Sequence, residues 1–485
     1  MRLVRTVMTR LCRASNPISA QSLNLHTLQH YILKYAKLKV NVISYPPPFA
    51  TFYVENGLFF YYNHRKEHSL LKYRKSYAIM IEKLFGVYMN IARKIFHRAF
   101  NSVMYVLIPL FPYREPKLIH EIGGVVDLLR EKKITHVMIV TDRGIRGIGL
   151  TLPLEGSIKE SGIALTVYDG TMPNPTSANV EEAREMYVKN GCQALIAFGG
   201  GSAMDCAKAL GARIARPKKS LKRMAGLIKV CKRLPLFIAI PTTAGTGSET
   251  TVASVITDAD THHKYVINDF CLIPDYALLD PAVTLGLPRG LTATTGMDAL
   301  THAVEVYIGK SRTKGTKAAA ERAVKLIFDN LELAYENGGN VAARKNMLEA
   351  SYLAGTAFTK SYVGYVHAVA HTLGGKYGVA HGLANAVLLP KFLRAYGDSV
   401  TKPLAELAYA VGLADSSLSM KDASELIISH IEGMNQRMGI PESLGCVKPE
   451  DIPEMAKLAD KEANPLYPVP ALWDAKELEK IYPTL

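Results

Sequence analysis

From Leu118 onward the apolar positions repeat in a regular way. The stretch Leu118–Lys133 (LIHEIGGVVDLLREKK) has helical spacing and leads into the apolar run His136–Thr141 (HVMIVT), closed by Asp142 and a glycine-bearing turn. A second apolar run, Ile163–Tyr168, stops at Asp169-Gly170; a helix is predicted over Val180–Asn190, then a strand over Ala194–Phe198 that opens onto Gly199-Gly200-Gly201-Ser202 and a further helix. Leu236–Ile240 is another strand of the same kind. Short apolar runs alternating with helix-length amphipathic segments predict βαβ units and a parallel sheet. Around Pro281–Pro288 the pattern changes. Beyond it stand long stretches rich in Ala, Leu and Glu, such as Lys317–Tyr335 and Asn346–Lys360, which predict helices only. The expected organisation is an α/β half over residues 106–285 and an all-helical half over residues 286–485, preceded by an extension over residues 1–105.

Charge separates that extension from the rest. The chain carries a net charge of +15, but residues 1–105 hold 16 Lys plus Arg against Glu55, Glu67 and Glu82 alone, so the remainder is close to neutral. The basic excess therefore belongs to an appendage, and nucleic acid is not an expected partner. The extension also holds 10 of the 25 tyrosines and the triplet Pro46-Pro47-Pro48. Met1–Ala20, with four arginines and no acid, is patterned like a mitochondrial transit peptide. Met80, Met89 and Met104 offer internal starts. Asn90–Phe100 (NIARKIFHRAF) suits a membrane-surface helix and, equally, a helix docked on the body of the protein. No uninterrupted apolar run reaches the ~18 residues of a spanning helix. None of the six cysteines forms a CxxC pair, which points to a reducing compartment: the cytoplasm, or the mitochondrion if the leader operates.

Three constellations carry chemistry. At the strand–helix junction Gly199–Ser202, continuing as Ala203-Met204-Asp205-Cys206-Ala207-Lys208, glycines let backbone N–H groups approach a diphosphate at a positive helix end. The junction is neither a GxGxxG fingerprint nor a Walker loop, and alone it is equally a plain turn. Pro241-Thr242-Thr243-Ala244-Gly245-Thr246-Gly247-Ser248-Glu249 follows the next strand, at the strand end where open α/β sheets bind ligands. The third set is Asp298 and His302, four apart on the predicted helix Gly296–Ile308, with His367 and His371 at the same spacing and His381 ten residues further on. Each histidine alone is an ordinary core or surface residue. Imidazoles and a carboxylate together on Ala- and Gly-rich helices suit a divalent first-row metal.

The segments GGGSAMDCAK, PTTAGTGSE, GMDALTHAVE and HAVAHTLGGKYGVAHGLANAVLLP resemble, in order and spacing, the signatures of the iron-containing (group III) alcohol dehydrogenases. That family includes lactaldehyde reductase, butanol dehydrogenases and 1,3-propanediol dehydrogenase. The resemblance covers about residues 106–485 and leaves the extension unaccounted for. It implies a dehydroquinate synthase-like fold, with a dinucleotide-binding α/β domain, a helical domain, and a metal between them. By the same resemblance Asp298, His302, His367 and His381 are the expected metal ligands, and His371 lies beside the substrate. Gly200, Gly201, Ser202, Thr242, Thr243 and Thr246 are expected to line the diphosphate and nicotinamide, with Asn174 in an NPT turn and Lys264 on the cofactor side. Asp142 stands where Asp accompanies NAD preference. Arg143 and Arg146 could offset that preference toward NADP.

The expected activity is reversible hydride transfer between a primary alcohol or its aldehyde and NAD, with NADP as the alternative carrier. Iron(II) is the expected metal and zinc the alternative. His371 is the candidate proton relay. Rival readings on the same fold are a polyol dehydrogenase and a hydroxyacid–oxoacid transhydrogenase. A scaffold or membrane-attached subunit working through its basic N-terminus is the rival from another class. A homodimer or larger homo-oligomer is expected.

Overall fold

The computed structural model describes residues 41–43, 51–55, 58–62, 93–107, 110–260 and 264–485. The expected leader, the proline triplet and the internal starts Met80 and Met89 lie outside them. The chain forms two compact units, residues 1–95 and residues 96–485. In the first, β1 (Asn41–Ile43), β2 (Thr51–Glu55) and β3 (Leu58–Tyr62) form an antiparallel sheet in that order, with Thr51 opposite Tyr62.

The second unit begins within α1, residues 93–107, which runs across the compositional boundary at residue 105. Its α/β half is built on six parallel strands: β4 (Lys117–Ile119), β5 (His136–Val140), β6 (Ala164–Tyr168), β7 (Ala194–Gly199), β9 (Leu236–Pro241) and β12 (Tyr276–Leu278), in the order β4-β12-β9-β7-β5-β6. Alternation along these strands makes two cores. Met138, Leu195 and Phe237 face one layer of helices, while Val137, Ile139, Ile196 and Ile238 face the other, as side chains of period two must. A small sheet over β8 (Gly226–Leu227), β10 (Ala253–Thr257) and β11 (Lys264–Asn268) was not expected from the sequence; β10 and β11 pair antiparallel, with Thr257 opposite Lys264.

One predicted helix is corrected. Leu118 belongs to edge strand β4, whose Leu118 pairs with Ala277, and the helix α2 is confined to Ile122–Glu131. Its apolar spacing fitted a helix, but ladder bonds to β12, begun by Lys117 N–H to the Asp275 carbonyl at 3.0 Å, satisfy that backbone instead. The remaining helices of this half are α3 (Arg143–Gly147), α4 (Leu152–Glu160), α5 (Ser177–Lys189) and α6 (Gly201–Ala215). α5 starts three residues before the predicted helix because Thr176 and Asn179 form a reciprocal capping box.

The helical half runs through α7 (Arg289–Ile308), α8 (Lys314–Glu336), α9 (Val341–Ser361), α10 (Tyr365–Tyr377), α11 (His381–Tyr396), α12 (Asp398–Ala410), α13 (Met420–Arg437) and α14 (Ile452–Ala463). α7 is the axis of this half. Beyond its first turn nearly every side chain is buried, so any polar residue on it must find a partner inside the protein.

Candidate active site

Asp298, His302 and Glu305 lie at i, i+4 and i+7 on α7, one above another on a single face. All three are buried. Glu305 reaches the start of α10, where its carboxylate accepts from Gly364 N–H at 2.8 Å, Val366 N–H at 2.9 Å and His367 Nδ1 at 2.6 Å. Burial pushes its carboxyl up to about 7, against the pull of those backbone donors. Because Nδ1–H of His367 is spent on Glu305, its Nε2 keeps the lone pair, and that buried atom has no hydrogen-bond partner. It sits 3.8 Å from Asp298 Oδ1, and His381 Nε2 is 3.6 Å from the same oxygen. Ligand atoms of Asp298, His367 and His381 thus lie within 4.8 Å of one another.

The other two histidines border this group. The His302 ring stacks 4.5 Å from the His367 ring and 4.1 Å from Phe358, with Nδ1 buried and unpartnered, but it falls outside the close three-residue set. His371 stacks on His381 at 5.2 Å and holds Glu462 Oε1 through Nδ1 at 2.7 Å. Burial drives the His302 imidazole down to about 3, against the attraction of Asp298, and drives His367 well below its ordinary value. Both are neutral and able to ligate. For His371 desolvation pulls downward, but the Glu462 carboxylate and the Asp298 charge leave it above its ordinary value.

On the α/β side the two small-residue loops face each other. A Cβ on Gly201, at the start of α6, would meet Thr246 Cγ2 at 3.3 Å, and one on Gly200 would meet Thr243 at 3.5 Å. Buried Thr242 donates its N–H to the Gly199 carbonyl at 3.1 Å, tying one loop to the other. The Thr242–Glu249 loop also touches the helical half: a Cβ on Gly245 would collide with the backbone of Thr295 on α7, so only glycine fits. Asn174 adopts φ 56° and accepts from Lys264 Nζ at 2.8 Å. The charge of Lys264 is felt at His371 and His381, which puts this pair beside the histidine group. Asp142 stands two residues past the end of β5 and accepts from Ile145 N–H at 2.9 Å, capping α3; its other oxygen lies 3.8 Å from where a Gly199 Cβ would stand. Arg146 is engaged by Asp169 at 2.8 Å and Glu155 at 3.6 Å.

Residues 116–281 match the iron-containing alcohol dehydrogenase family, and residues 292–485 match the C-terminal region of the Fe-containing alcohol dehydrogenase family. The chain belongs to the iron-containing alcohol dehydrogenase family. It is 40% identical over 380 residues to the 1,3-propanediol dehydrogenase of Citrobacter freundii, covering 78% of this chain and 97% of that one. It is 34% identical to the lactaldehyde reductase of Escherichia coli over 341 residues, 70% of this chain and 89% of that one. Among solved structures, a 1,3-propanediol oxidoreductase superposes with a TM-score of 0.74 at 37% identity, covering 77% of this chain and 99% of the other. A sulfoacetaldehyde reductase from Bifidobacterium kashiwanohense in complex with NAD+ gives 0.69 at 29% identity, over 77% and 98%. The enzyme is therefore an oxidoreductase of alcohols and aldehydes, not a scaffold.

The family name implies iron, and the donor set fits it. A buried carboxylate oxygen, the unpartnered lone pair of His367 and the nearby His381 nitrogen converge on one point, and His302 offers a further unpartnered nitrogen. Glu305 is the carboxylate that fixes the tautomer of a ligating histidine, an arrangement common in metal sites. Sequence reasoning passed over it, although it completes the spacing begun by Asp298 and His302. Asn385, one turn after His381, was also missed. It donates to Asp298 Oδ1 at 2.6 Å and lies 3.1 Å from His381 Nε2, holding both in place. Glu462 came from a helix with no motif, so no sequence signal pointed to it.

Proposed function

We propose that the enzyme interconverts a small primary alcohol and its aldehyde, with NAD as hydride carrier and iron(II) held by Asp298, His302, His367 and His381. Zinc suits the same donors. Bound there, the metal supplies Lewis acidity toward the substrate oxygen, and the nicotinamide carries the hydride. The chain's own residues hold, orient and protonate. The N-terminal N–H groups of α6 at Gly201 and Ser202, with Gly200 and the Thr242, Thr243 and Thr246 hydroxyls opposite, cradle the diphosphate. Lys264, braced by Asn174, adds a cation between cofactor and histidines. Glu462 keeps the proton of His371 on Nδ1, so Nε2 is the atom that takes the hydroxyl proton and returns it. The side chain of His371 is 45% exposed, which gives that proton a route to water.

NAD is favoured because Asp142 follows β5 beside the glycine loop and because Arg146 is held by two carboxylates, away from a 2′-phosphate. Relatives support the same carrier: an NAD-dependent methanol dehydrogenase of Bacillus methanolicus is 37% identical over 343 residues. The described cysteines Cys192, Cys206, Cys271 and Cys446 are unbridged thiols, as suits a reducing compartment such as the cytoplasm. The observation that carries this reading is the bare, buried Nε2 of His367 beside Asp298 and His381. The test is NADH oxidation with a panel of short aldehydes, before and after chelation and readdition of iron(II). Turnover that disappears on chelation and returns with metal supports it; turnover indifferent to metal removal overturns it.

A further inference from the structure

Helix α1 is amphipathic with its faces reversed. At 100° per residue, His97, Arg98 and Asn101 share one side and Phe96, Val103, Val106 and Leu107 the other. The polar side is turned inward. Arg98 donates to the carbonyls of Val469 and Pro470, both at 2.8 Å, and Asn101 Nδ2 donates to the Pro465 carbonyl at 2.7 Å. The apolar side is left in solvent: Phe96 is 59% exposed, Val103 57%, Val106 66% and, just past the helix, Leu110 60%. An isolated exposed side chain is ordinary; a contiguous stripe marks a binding surface.

Beside the stripe, on its flank, is a recess of about 500 Å³ between α1 and the segment around Pro470. Arg98 and Lys310 line it with Asn101, Ser102, Tyr105 and Val106, and among the described residues no carboxylate does. Lys310 is held below its ordinary value by partial burial and by the charges of Arg98 and Arg312, a repulsion that an anion would relieve.

The geometry points to an interfacial membrane site: α1 lies flat on an anionic phospholipid surface, its apolar stripe among the upper acyl chains and a headgroup phosphate in the Arg98–Lys310 recess. Apolar face, basic flank and a short helix are the attributes of an in-plane anchor, and among the described residues no helix is long and apolar enough to cross a membrane. The net positive charge of residues 1–105 adds attraction to the same surface. A second copy of the chain is the poorer occupant, since it would bring the same basic residues against their like.

The test is co-sedimentation of the full chain with vesicles of phosphatidylcholine alone and of phosphatidylcholine mixed with phosphatidylserine, at low and high salt. Partitioning to the anionic vesicles is expected to exceed that to neutral ones by about tenfold or more, and to fall with salt. The double variant Val103→Glu/Val106→Glu is expected to lose about tenfold or more of that binding with aldehyde reduction unchanged. Lys310→Glu, which leaves the stripe intact, should weaken the preference for the anionic vesicles, by about fivefold or more, with binding to neutral vesicles unchanged. The proposal is overturned by absence of vesicle binding. It is equally overturned by binding that neither variant alters, which would assign it to upstream basic residues alone. A change of oligomeric state in the valine variant with vesicle binding intact would assign the stripe to a second copy instead.

Discussion

The two halves of the catalytic unit position their chemistry by different means. The helical half does it with side chains: Asp298, His302 and Glu305 descend one face of α7, and His367, His381 and Asn385 meet them from α10 and α11. The α/β half does it with backbone: bare loops at the ends of β7 and β9, and a helix terminus. Its most deeply buried cation is spent on the backbone too. Lys208 on α6 is fully buried and gives its ammonium to the carbonyls of Ser248, Thr251 and Ala253 at 2.7, 3.0 and 3.0 Å, and to the Thr251 hydroxyl at 2.7 Å. A site made of side chains fails at single residues. A site made of backbone fails only when what holds the backbone is removed.

The sharpest break belongs to the first kind. His367→Ala or His381→Ala should abolish turnover and metal retention together, because each removes one of few convergent donors and no neighbour can replace it. Metal analysis alongside NADH oxidation reads both, and full activity with normal metal content in either variant would remove the ligand assignment. Next in size is Lys208→Met, which tests the second kind. Losing a buried ammonium leaves carbonyl oxygens without donors and should cost about 3–5 kcal/mol, read as a lower urea midpoint. The loop carrying Thr243 and Thr246 should slacken with it, raising KM for NAD more than it lowers kcat. An unchanged KM in a folded variant would mean that the loop is held by its own backbone bonds.

The same difference decides what could be read from the sequence. Helix faces are periodic, so Asp298 with His302, and His367 with His371, were visible as pairs from spacing alone. Glu305 continues the same spacing, but spacing does not separate a ligand from the carboxylate that braces one; only its bond to His367 Nδ1 does. The parallel strands were legible too, since runs such as His136–Val140 and Ala194–Gly199 alternate between two cores. Loops have no such period. Residue type and strand-end position marked Gly199–Ser202 and Thr242–Thr246 as candidate cofactor loops, family resemblance assigned their individual residues, and their facing one another became evident only in three dimensions. β4 and β8 were missed because three-residue and two-residue strands carry almost no pattern and pair with neighbours distant in the chain, while β10 and β11, five residues each, are only partly buried and show no long apolar run. The inward turn of the polar side of α1 was unreadable for a further reason: its acceptors are carbonyls of residues 465, 469 and 470, which no periodicity on the helix itself encodes.

A subtler break lies one layer behind the ligands. Glu305→Gln keeps size but has a single acceptor oxygen, so it serves either Val366 on one side or Gly364 and His367 Nδ1 on the other, and the carboxylate charge opposite His367 is lost in both cases. The ring loses a partner that fixes its tautomer and strengthens its lone pair, so metal affinity should fall by about 10–100-fold with the fold intact. Competition against a chelator measures this directly. If affinity is unchanged, the backbone donors and not His367 are what Glu305 serves.

The smallest effect expected is on the α/β side, where a side chain adjusts specificity and leaves catalysis alone. Asp142 caps α3 through one carboxylate oxygen and turns the other toward Gly199, so it is both a structural cap and a charge beside the adenosine end of the proposed cofactor path. A carboxylate there accepts from the ribose 2′-hydroxyl of NAD and repels the 2′-phosphate of NADP. Arg146, held between Asp169 and Glu155, does not offset that repulsion, which leaves Arg143 as the nearby cation to consider. Asp142→Gly removes cap and charge together; Asp142→Asn keeps a capping oxygen and removes only the charge. The ratio of kcat/KM for NAD to that for NADP should fall in both variants, by about tenfold, the scale of one lost charge–phosphate repulsion. Thermal stability should fall only in the glycine variant, by about 1 kcal/mol or less. A wild-type preference for NADPH, or an Asn variant with unchanged selectivity, would leave Asp142 as a cap and nothing more. The selectivity of the cofactor site would then rest on groups other than this carboxylate.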